Sequence, residues 1–183
     1  MKKLILASGS PRRREILEQV GVEFEVRKSD VEEVITKTDP AEIVMELSAQ
    51  KAKDVYDKLE CPQEYLVLGS DTVVAFEGKI LGKPADEQGA YEMLRMLSGR
   101  KHSVFTGVTL VSDDRFDSFY EETLVEFYEM SDEEILNYIK SGEPMDKAGA
   151  YGIQGKAAAF IRGIEGDYYN VVGLPVAKVL HRL

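Results

Sequence analysis

One short stretch, residues 4–17, constrains the fold most, because it predicts a strand, a tight loop and a helix in immediate succession. Leu4–Ala7 is an apolar run of strand length, and the small residues Ser8–Ser10 interrupt it. Pro11 suits the first position of a helix, where a missing N–H costs nothing, with Ser10 as the N-cap. Gly21 ends the predicted helix as a C-terminal cap.

The start of this predicted helix is rich in hydrogen-bond donors. Arg12, Arg13 and Arg14 follow the proline. Free backbone N–H groups and the helix dipole favour an anion at such a place, and guanidinium groups match the geometry of phosphate oxygens. Solvated arginines beside a capped helix are the alternative. Positive charge in a first turn opposes the dipole, however, so the pattern favours a polyphosphate site.

Length and charge limit the classes of protein that this chain can belong to. Its 183 residues suit one domain or two small lobes, and 44% of them are hydrophobic, which is enough for a core. The net charge of −10 argues against nucleic acid or an anionic membrane as the main partner. No apolar run approaches the length that spans a membrane. A single cysteine, Cys61, excludes internal disulfides and is typical of a reducing, cytoplasmic setting.

Asp71 is the most informative acidic residue. It follows the apolar strand predicted at Tyr65–Gly69, and another apolar run follows it. A carboxylate among core strands is costly to bury unless a partner compensates it, so we expect a metal ligand or a general base. A satisfied turn aspartate is the alternative. Lys83, before a proline, is either a loop lysine or a phosphate ligand, and neither His102 nor His181 is expected to be catalytic.

Later segments of the chain carry further predictions. The residues Asp39, Asp86 and Ser131 are predicted to begin helices, the last with a capping box. Between Gly149 and Gly155 there are three glycines in seven residues, so another backbone or a ligand can come close. Ala157–Ile164 is predicted to be a strand, and residues 169–172 a short strand or loop.

Cations and carboxylates without a histidine or cysteine nucleophile suit metal-assisted attack on a phosphoanhydride. The donors are Ser8–Arg13, Lys51 and Lys83, and the acids are Asp71 and either Glu32 or Glu33. Oxygen ligands alone favour Mg²⁺ or Mn²⁺ over zinc. Basic groups would bind the oxygens on which charge develops, with Asp71 as general base.

Several separate motifs resemble the Maf family of nucleotide pyrophosphatases, and the resemblance covers residues 4–176. The segments that carry it are Leu6–Arg13, Gly69–Val73, Gly82–Pro84, Leu97–Gly99 and Asp146–Gly155. Within the family, the glutamine in Tyr151–Gly155 is similar to the dTTP/UTP pyrophosphatase branch. The branch that acts on 7-methyl-GTP usually has glutamate there.

The resemblance also implies roles for individual residues. Asp71 corresponds to the proton acceptor and, with Glu33, to the metal-associated acids. The phosphate-facing positions are Ser8, Arg12, Arg13, Lys51 and Lys83. Positions tied to base selection are Arg12, Thr72 and Gln154. The amide of Gln154 offers a donor and an acceptor to the O4/N3–H edge of thymine or uracil. Glu32 and Lys53 remain alternatives to Glu33 and Lys51.

The family implies hydrolysis of a nucleoside triphosphate between the α- and β-phosphates, giving a monophosphate and pyrophosphate. This reaction would remove excess or modified pyrimidine nucleotides from the cytoplasm. Its expected cofactor is a divalent metal ion, Mg²⁺ or Mn²⁺. The implied fold is an α/β single domain over residues 1–183. It has a long mixed sheet with helices on both faces and a cleft between two lobes, similar to inosine-triphosphate pyrophosphatases. The family also suggests a homodimer. The alternatives are a slow nucleotide-sensing regulator of cell division and a 7-methyl-GTP-type enzyme.

Overall fold

A computed structural model describes residues 2–183, and in that part of the chain seven strands and six α-helices are present. The strands are β1 Lys3–Leu6, β2 Phe24–Val26, β3 Tyr65–Phe76, β4 Lys79–Leu81, β5 Lys101–Ser112, β6 Arg115–Phe127 and β7 Ile161–Glu165. The helices are α1 Pro11–Gln19, α2 Pro40–Asp57, α3 Glu87–Leu97, α4 Asp132–Lys140, α5 Tyr168–Val172 and α6 Val176–Leu180. None of these helices is long and apolar enough to cross a bilayer.

The strands form one mixed sheet in the order β2-β1-β3-β5-β6-β7, with β4 paired to β3. Strand β1 runs parallel to both of its neighbours, so that Leu6 lies opposite Val26 on one side and Leu68 on the other. The β4 strand folds back antiparallel on β3, and β7 is antiparallel to β6. The mixed sheet and its helices confirm the predicted α/β class.

Local capping explains where three helices begin. The Asp39 carboxylate accepts hydrogen bonds from the first turn of α2, and Asp86 accepts one from Gly89 N at 2.7 Å in α3. Helix α4 has the full capping box between Ser131 and Glu134. These side chains satisfy backbone N–H groups that have no partner within the helix, which confirms the three predicted starts.

Two of the predicted elements were wrong. Ala157 lies in a 3-10 helix, Lys156–Ala159, and the strand begins only at Ile161. The segment expected to be a short strand or loop is helix α5, because the Asp167 carboxylate accepts hydrogen bonds from Tyr169 N at 2.8 Å and Asn170 N at 3.3 Å. Ser10 occupies the N-cap position of α1 but makes no capping hydrogen bond with its side chain.

The chain divides into two compact units. Unit 1 comprises residues 1–72, 106–121 and 173–183, and unit 2 comprises residues 73–105 and 122–172. In unit 1, apolar residues of β1, α2 and β3 form one core cluster. In unit 2, the larger cluster surrounds helices α3 and α4. The prediction of a single domain over residues 1–183 stays a prediction.

Candidate active site

The loop after β1 is organised by the hydroxyl group of Ser8. This side chain is buried at the end of the strand, where its Oγ accepts a hydrogen bond from Ser10 N at 3.2 Å. The same oxygen accepts a second one from Arg13 Nη1 at 3.1 Å. Arg14, by contrast, is exposed and pairs with Glu18 one turn further along α1. Of the arginines in the first turn, Arg13 is therefore the one that turns back to the loop.

Arg13 is held by hydrogen bonds to Ser8, Thr72 and Gly173 of unit 1. Its Nε donates to the Gly173 carbonyl at 2.8 Å, and its Nη2 donates to Thr72 Oγ1 at 3.0 Å. Together with the bond to Ser8, these contacts use one N–H group on each of the three nitrogen atoms of the guanidinium. A guanidinium has five N–H donors, so donors remain for a ligand after its position has been fixed. The arrangement supplies a rigid cation rather than a mobile one.

The electrostatic surroundings of Arg13 contain both signs of charge. Burial lowers the pKa of its guanidinium, and the Asp71 carboxylate opposes that shift. The positive charge of Arg12 lowers the pKa further, whereas Glu33 raises it. The group stays protonated at neutral pH because an arginine pKa starts far above 7. A half-buried cation of this kind is stabilised by any anion that reaches it.

Asp71 and Glu33 meet at one ammonium group. Lys51 Nζ lies 2.5 Å from Asp71 Oδ1 and 2.9 Å from Glu33 Oε1. The side chains of Lys51 and Asp71 are only 18% and 13% exposed, whereas that of Glu33 is 47% exposed. Both Glu32 and Lys53 are exposed. Among the alternatives left open by the sequence, the structure brings Glu33 and Lys51 to Asp71.

Two glycines allow helix α2 to bring Lys51 to this place. A Cβ atom on Gly69 of β3 would lie 2.2 Å from the backbone oxygen of Ser48, and one on Gly107 of β5 would lie 2.2 Å from that of Val44. Real Cβ atoms do not approach so closely, so only glycine permits this contact. Helix α2 therefore lies directly on the sheet beside the strand that carries Asp71.

A sequence model described as Maf-like protein matches residues 3–183. The chain belongs to the Maf-like family. It is 54% identical to the dTTP/UTP pyrophosphatase of Agathobacter rectalis, over 100% of this chain and 97% of the relative. It is 52% identical to the dTTP/UTP pyrophosphatase of Bacillus thuringiensis subsp. konkukian, over 100% of this chain and 95% of that protein. The predicted family resemblance is confirmed.

A solved structure is also similar to this Maf-like chain. The Ham1 protein of Staphylococcus aureus superimposes with a TM-score of 0.50 at 15% identity, over 69% of this chain and 72% of that one. At this level of identity the likeness concerns the fold alone. It agrees with the mixed α/β architecture described above.

Lys83 and Gln154 of the Maf-like chain belong to unit 2. Lys83 is exposed just after β4, and Gln154 is exposed in a tight turn between Gly152 and Gly155. In unit 1 the structure brings together six of the residues singled out from the sequence, namely Ser8, Glu33, Arg13, Lys51, Asp71 and Thr72. Arg12 is half-buried in the first turn of α1.

Three residues near Arg13 were not singled out from the sequence. Gly173 supplies the carbonyl that accepts from Arg13, and Ser70 Oγ also donates to that carbonyl at 3.3 Å. Thr106 Oγ1 lies 2.8 Å from Thr72 Oγ1. A backbone acceptor leaves no mark in side-chain chemistry, and Thr106 is indistinguishable from any other strand threonine. Only Ser70, next to Asp71, lay within one of the motifs.

Within residues 2–183, no three His, Cys, Asp or Glu side chains come together as metal ligands. The acids that could bind a metal ion are Asp71 and Glu33, and both form ion pairs with Lys51. This fits Mg²⁺ rather than a structural zinc, because Mg²⁺ is commonly held by one or two carboxylates together with phosphate oxygens of a substrate. The arrangement can therefore bind a polyphosphate through cations and accept a proton on a carboxylate.

Proposed function

We propose that this protein is a metal-dependent pyrophosphatase that converts dTTP and UTP, and modified pyrimidine nucleotides, to the monophosphate and pyrophosphate. The observation that carries the proposal is the full-length similarity, at 52% and 54% identity, to relatives named dTTP/UTP pyrophosphatase. The joined cations and carboxylates of unit 1 support it, since they suit a phosphoanhydride and contain no nucleophilic histidine or cysteine.

In the proposed reaction, water attacks the α-phosphorus. Asp71 takes the proton of that water, and the bond from the α-phosphorus to the bridging oxygen breaks, so that its electrons leave with pyrophosphate. Lys51 contacts Asp71 Oδ1 and orients the carboxylate for this step. General bases of this kind contribute about 10²- to 10⁴-fold to a rate.

The phosphate oxygens are proposed to be bound by Ser8, Arg12, Arg13, Lys51 and Lys83. Arg13 is positioned before the substrate arrives, because three hydrogen bonds hold it. Donors that need no rearrangement during the reaction stabilise developing charge most effectively. Lys51 forms ion pairs with two carboxylates, so its positive charge also offsets part of the negative charge of the site.

Asp71 and Glu33 would hold the divalent metal, Mg²⁺ or Mn²⁺, which neutralises phosphate charge and acts as a Lewis acid when bound. Gln154 is proposed to read the base, because its amide matches the O4/N3–H edge of thymine and uracil. Arg12 and Thr72 are the other residues proposed to take part in base selection.

The setting of the reaction is part of the proposal. A cytoplasmic location is supported by the single cysteine, and the net charge of −10 supports the absence of nucleic acid or membrane partners. A homodimer is proposed on the family resemblance alone.

Product analysis over a nucleotide panel tests the function. The protein is incubated with dTTP, UTP, CTP, GTP, 7-methyl-GTP and inosine triphosphate, with and without Mg²⁺ or Mn²⁺. Metal-dependent release of monophosphate and pyrophosphate from dTTP and UTP supports the proposal. Turnover centred on 7-methyl-GTP would refute the choice of branch, and nucleotide binding in calorimetry without any product would favour a sensor.

A further inference from the structure

The turn that carries Gln154 is held at both ends by side chains from outside it. At its start, Gly152 N donates to the hydroxyl of Tyr138 at 3.3 Å. That hydroxyl donates in turn to Glu143 Oε1 at 2.8 Å. At its end, the other carboxylate oxygen of Glu143 accepts from Lys156 N at 3.1 Å. One carboxylate and one phenol thus connect the two ends of the turn.

Glycine at the turn's last position allows the carboxylate to lie against the backbone. A Cβ atom on Gly155 would be 2.1 Å from Glu143 Oε1 and 2.4 Å from its Cδ. The turn itself closes through a hydrogen bond from Gly155 N to the Gly152 carbonyl at 3.1 Å. Gln154 is therefore presented from a short loop packed directly on Glu143.

The two supporting residues are themselves well anchored in unit 2. Tyr138 is 3% exposed in α4, and its ring packs edge to face on Phe160 with centroids 5.6 Å apart. Burial raises the pKa of its phenol, and the hydrogen bond to Glu143 adds to this, so the hydroxyl remains a donor at neutral pH. The backbone carbonyl of Glu143 accepts from Lys147 Nζ at 3.0 Å.

We propose that Tyr138 and Glu143 are positioning residues for base selection, acting by fixing the turn that presents Gln154. This inference rests on the proposed role of Gln154. Its amide must donate to O4 and accept from N3–H of the same base, and a paired contact of this kind tolerates an error of only about 0.5 Å. Cytosine presents an amino group and an unprotonated N3 instead. A glutamine amide that turns over presents the reverse pair, which complements cytosine. A turn that moves gives Gln154 room to do so, and the distinction between the two bases is lost.

The test compares kcat/KM for dTTP and dCTP in the wild type, Tyr138→Phe and Glu143→Gln. We expect the dTTP:dCTP ratio to fall about 10-fold in each variant, mainly through a higher KM for dTTP, as befits the loss of about 1.4 kcal/mol of discriminating contact. Glu134→Gln is the matched control, because it removes the capping carboxylate of α4 and leaves the turn untouched. Its ratio should equal that of the wild type.

A double-mutant cycle separates positioning from a general effect on folding. In a Gln154→Ala background, Tyr138→Phe should leave the dTTP:dCTP ratio unchanged, because the group that it positions is gone. Should Glu143→Gln fail to fold, Tyr138→Phe keeps the ring and carries the test. Wild-type selectivity retained in the folded variants would overturn the inference alone. A wild type that hydrolyses dTTP and dCTP equally would overturn the proposed base preference and this inference with it.

Discussion

Lys51 interacts unequally with its two carboxylate partners. The Asp71 side chain is 13% exposed, so water screens its ion pair with Lys51 only weakly. Glu33 is 47% exposed, and an exposed ion pair adds little to stability. The contact with Asp71 therefore dominates the position of Lys51, and Glu33 is the more available of the two acids for another ligand.

Asp71→Asn should lower kcat for dTTP at least 100-fold, because an amide cannot take the proton of water at neutral pH. The substitution keeps the shape of the side chain, and the amide oxygen can still accept from Lys51. We therefore expect the protein to stay folded, with a lower thermal midpoint because the weakly screened ion pair is lost. Steady-state kinetics and thermal unfolding of the same preparation measure both. A folded Asp71→Asn protein with wild-type turnover would show that Asp71 is not the base.

The neighbouring acids Glu33 and Glu32 offer a matched pair of substitutions. Glu33→Gln removes a carboxylate that touches Lys51, and should raise the Mg²⁺ concentration required for half-maximal activity about 10-fold. Glu32→Gln changes the adjacent exposed residue and should leave that requirement unchanged. Mg²⁺ titrations of dTTP hydrolysis by the two variants measure this requirement. A raised requirement in Glu32→Gln alone would assign the metal-associated acid to Glu32.

The residues of the site differ in how far the sequence could predict them. Ser8 follows a buried strand, and Asp71 is a charged residue inside another one, β3. Such a contrast between polar and apolar neighbours is visible in a single sequence. The choice of Lys51 over Lys53 depends on the rotation of a helix on the sheet, which local spacing does not fix. Gly173 contributes through a carbonyl oxygen, a group that every residue possesses.

At the scale of elements, the close contact of α2 with the sheet determines where Lys51 lies. Gly69 and Gly107 lie on neighbouring strands and both touch the helix backbone. A side chain at either place would force the helix outward. The same displacement would move Lys51 away from Asp71, so packing in the core of unit 1 and geometry in the site are coupled.

Gly107→Ala should lower the free energy of unfolding by about 3 kcal/mol, a value at the upper end for overpacking, because the new methyl group meets backbone atoms that cannot rotate away. Gly163→Ala is the control, since a Cβ there meets no atom within 4 Å. Urea unfolding of both variants measures the difference. Equal stability of the two would show that α2 can shift outward without cost.

Elements with strong local signals were the ones that the sequence predicted correctly. Asp39, Asp86 and Ser131 each satisfy backbone groups within three residues, so tertiary contacts were not needed to find these helix starts. Helix α5 is only one turn long and has apolar and aromatic residues that are equally common in strands. Its start depends on hydrogen bonds to Asp167, a residue that the sequence pattern predicts to lie in a turn.

At the scale of the whole molecule, His102 makes stability depend on pH. Its ring is buried in unit 2, between edge-to-face contacts with Phe127 and Tyr151, and Nε2 lies 2.6 Å from the Tyr151 hydroxyl. Nδ1 has no hydrogen-bond partner in the part of the chain described, residues 2–183. Burial lowers the pKa of His102 from 6.5 to about 4.

The unfolded chain therefore takes up a proton on His102 below pH 6.5, whereas the folded protein does so only near pH 4. Stability from this residue is complete above pH 6.5 and is lost as the pH falls towards 4, with a total on the order of 3 kcal/mol. Urea unfolding of the wild type and His102→Gln at several pH values measures it. The variant should show a smaller slope over this interval, and an unchanged slope would contradict the assignment.

The chain passes between the two units at four points, and unit 1 is assembled from three separate segments. Thr72, Thr106 and Gly173 stand at the boundaries of these segments, and all three are joined through hydrogen bonds around Arg13. No uninterrupted stretch of the gene encodes unit 1 or unit 2. A split-protein reporter made by one cut at any of these four points would therefore divide unit 1 between its two fragments.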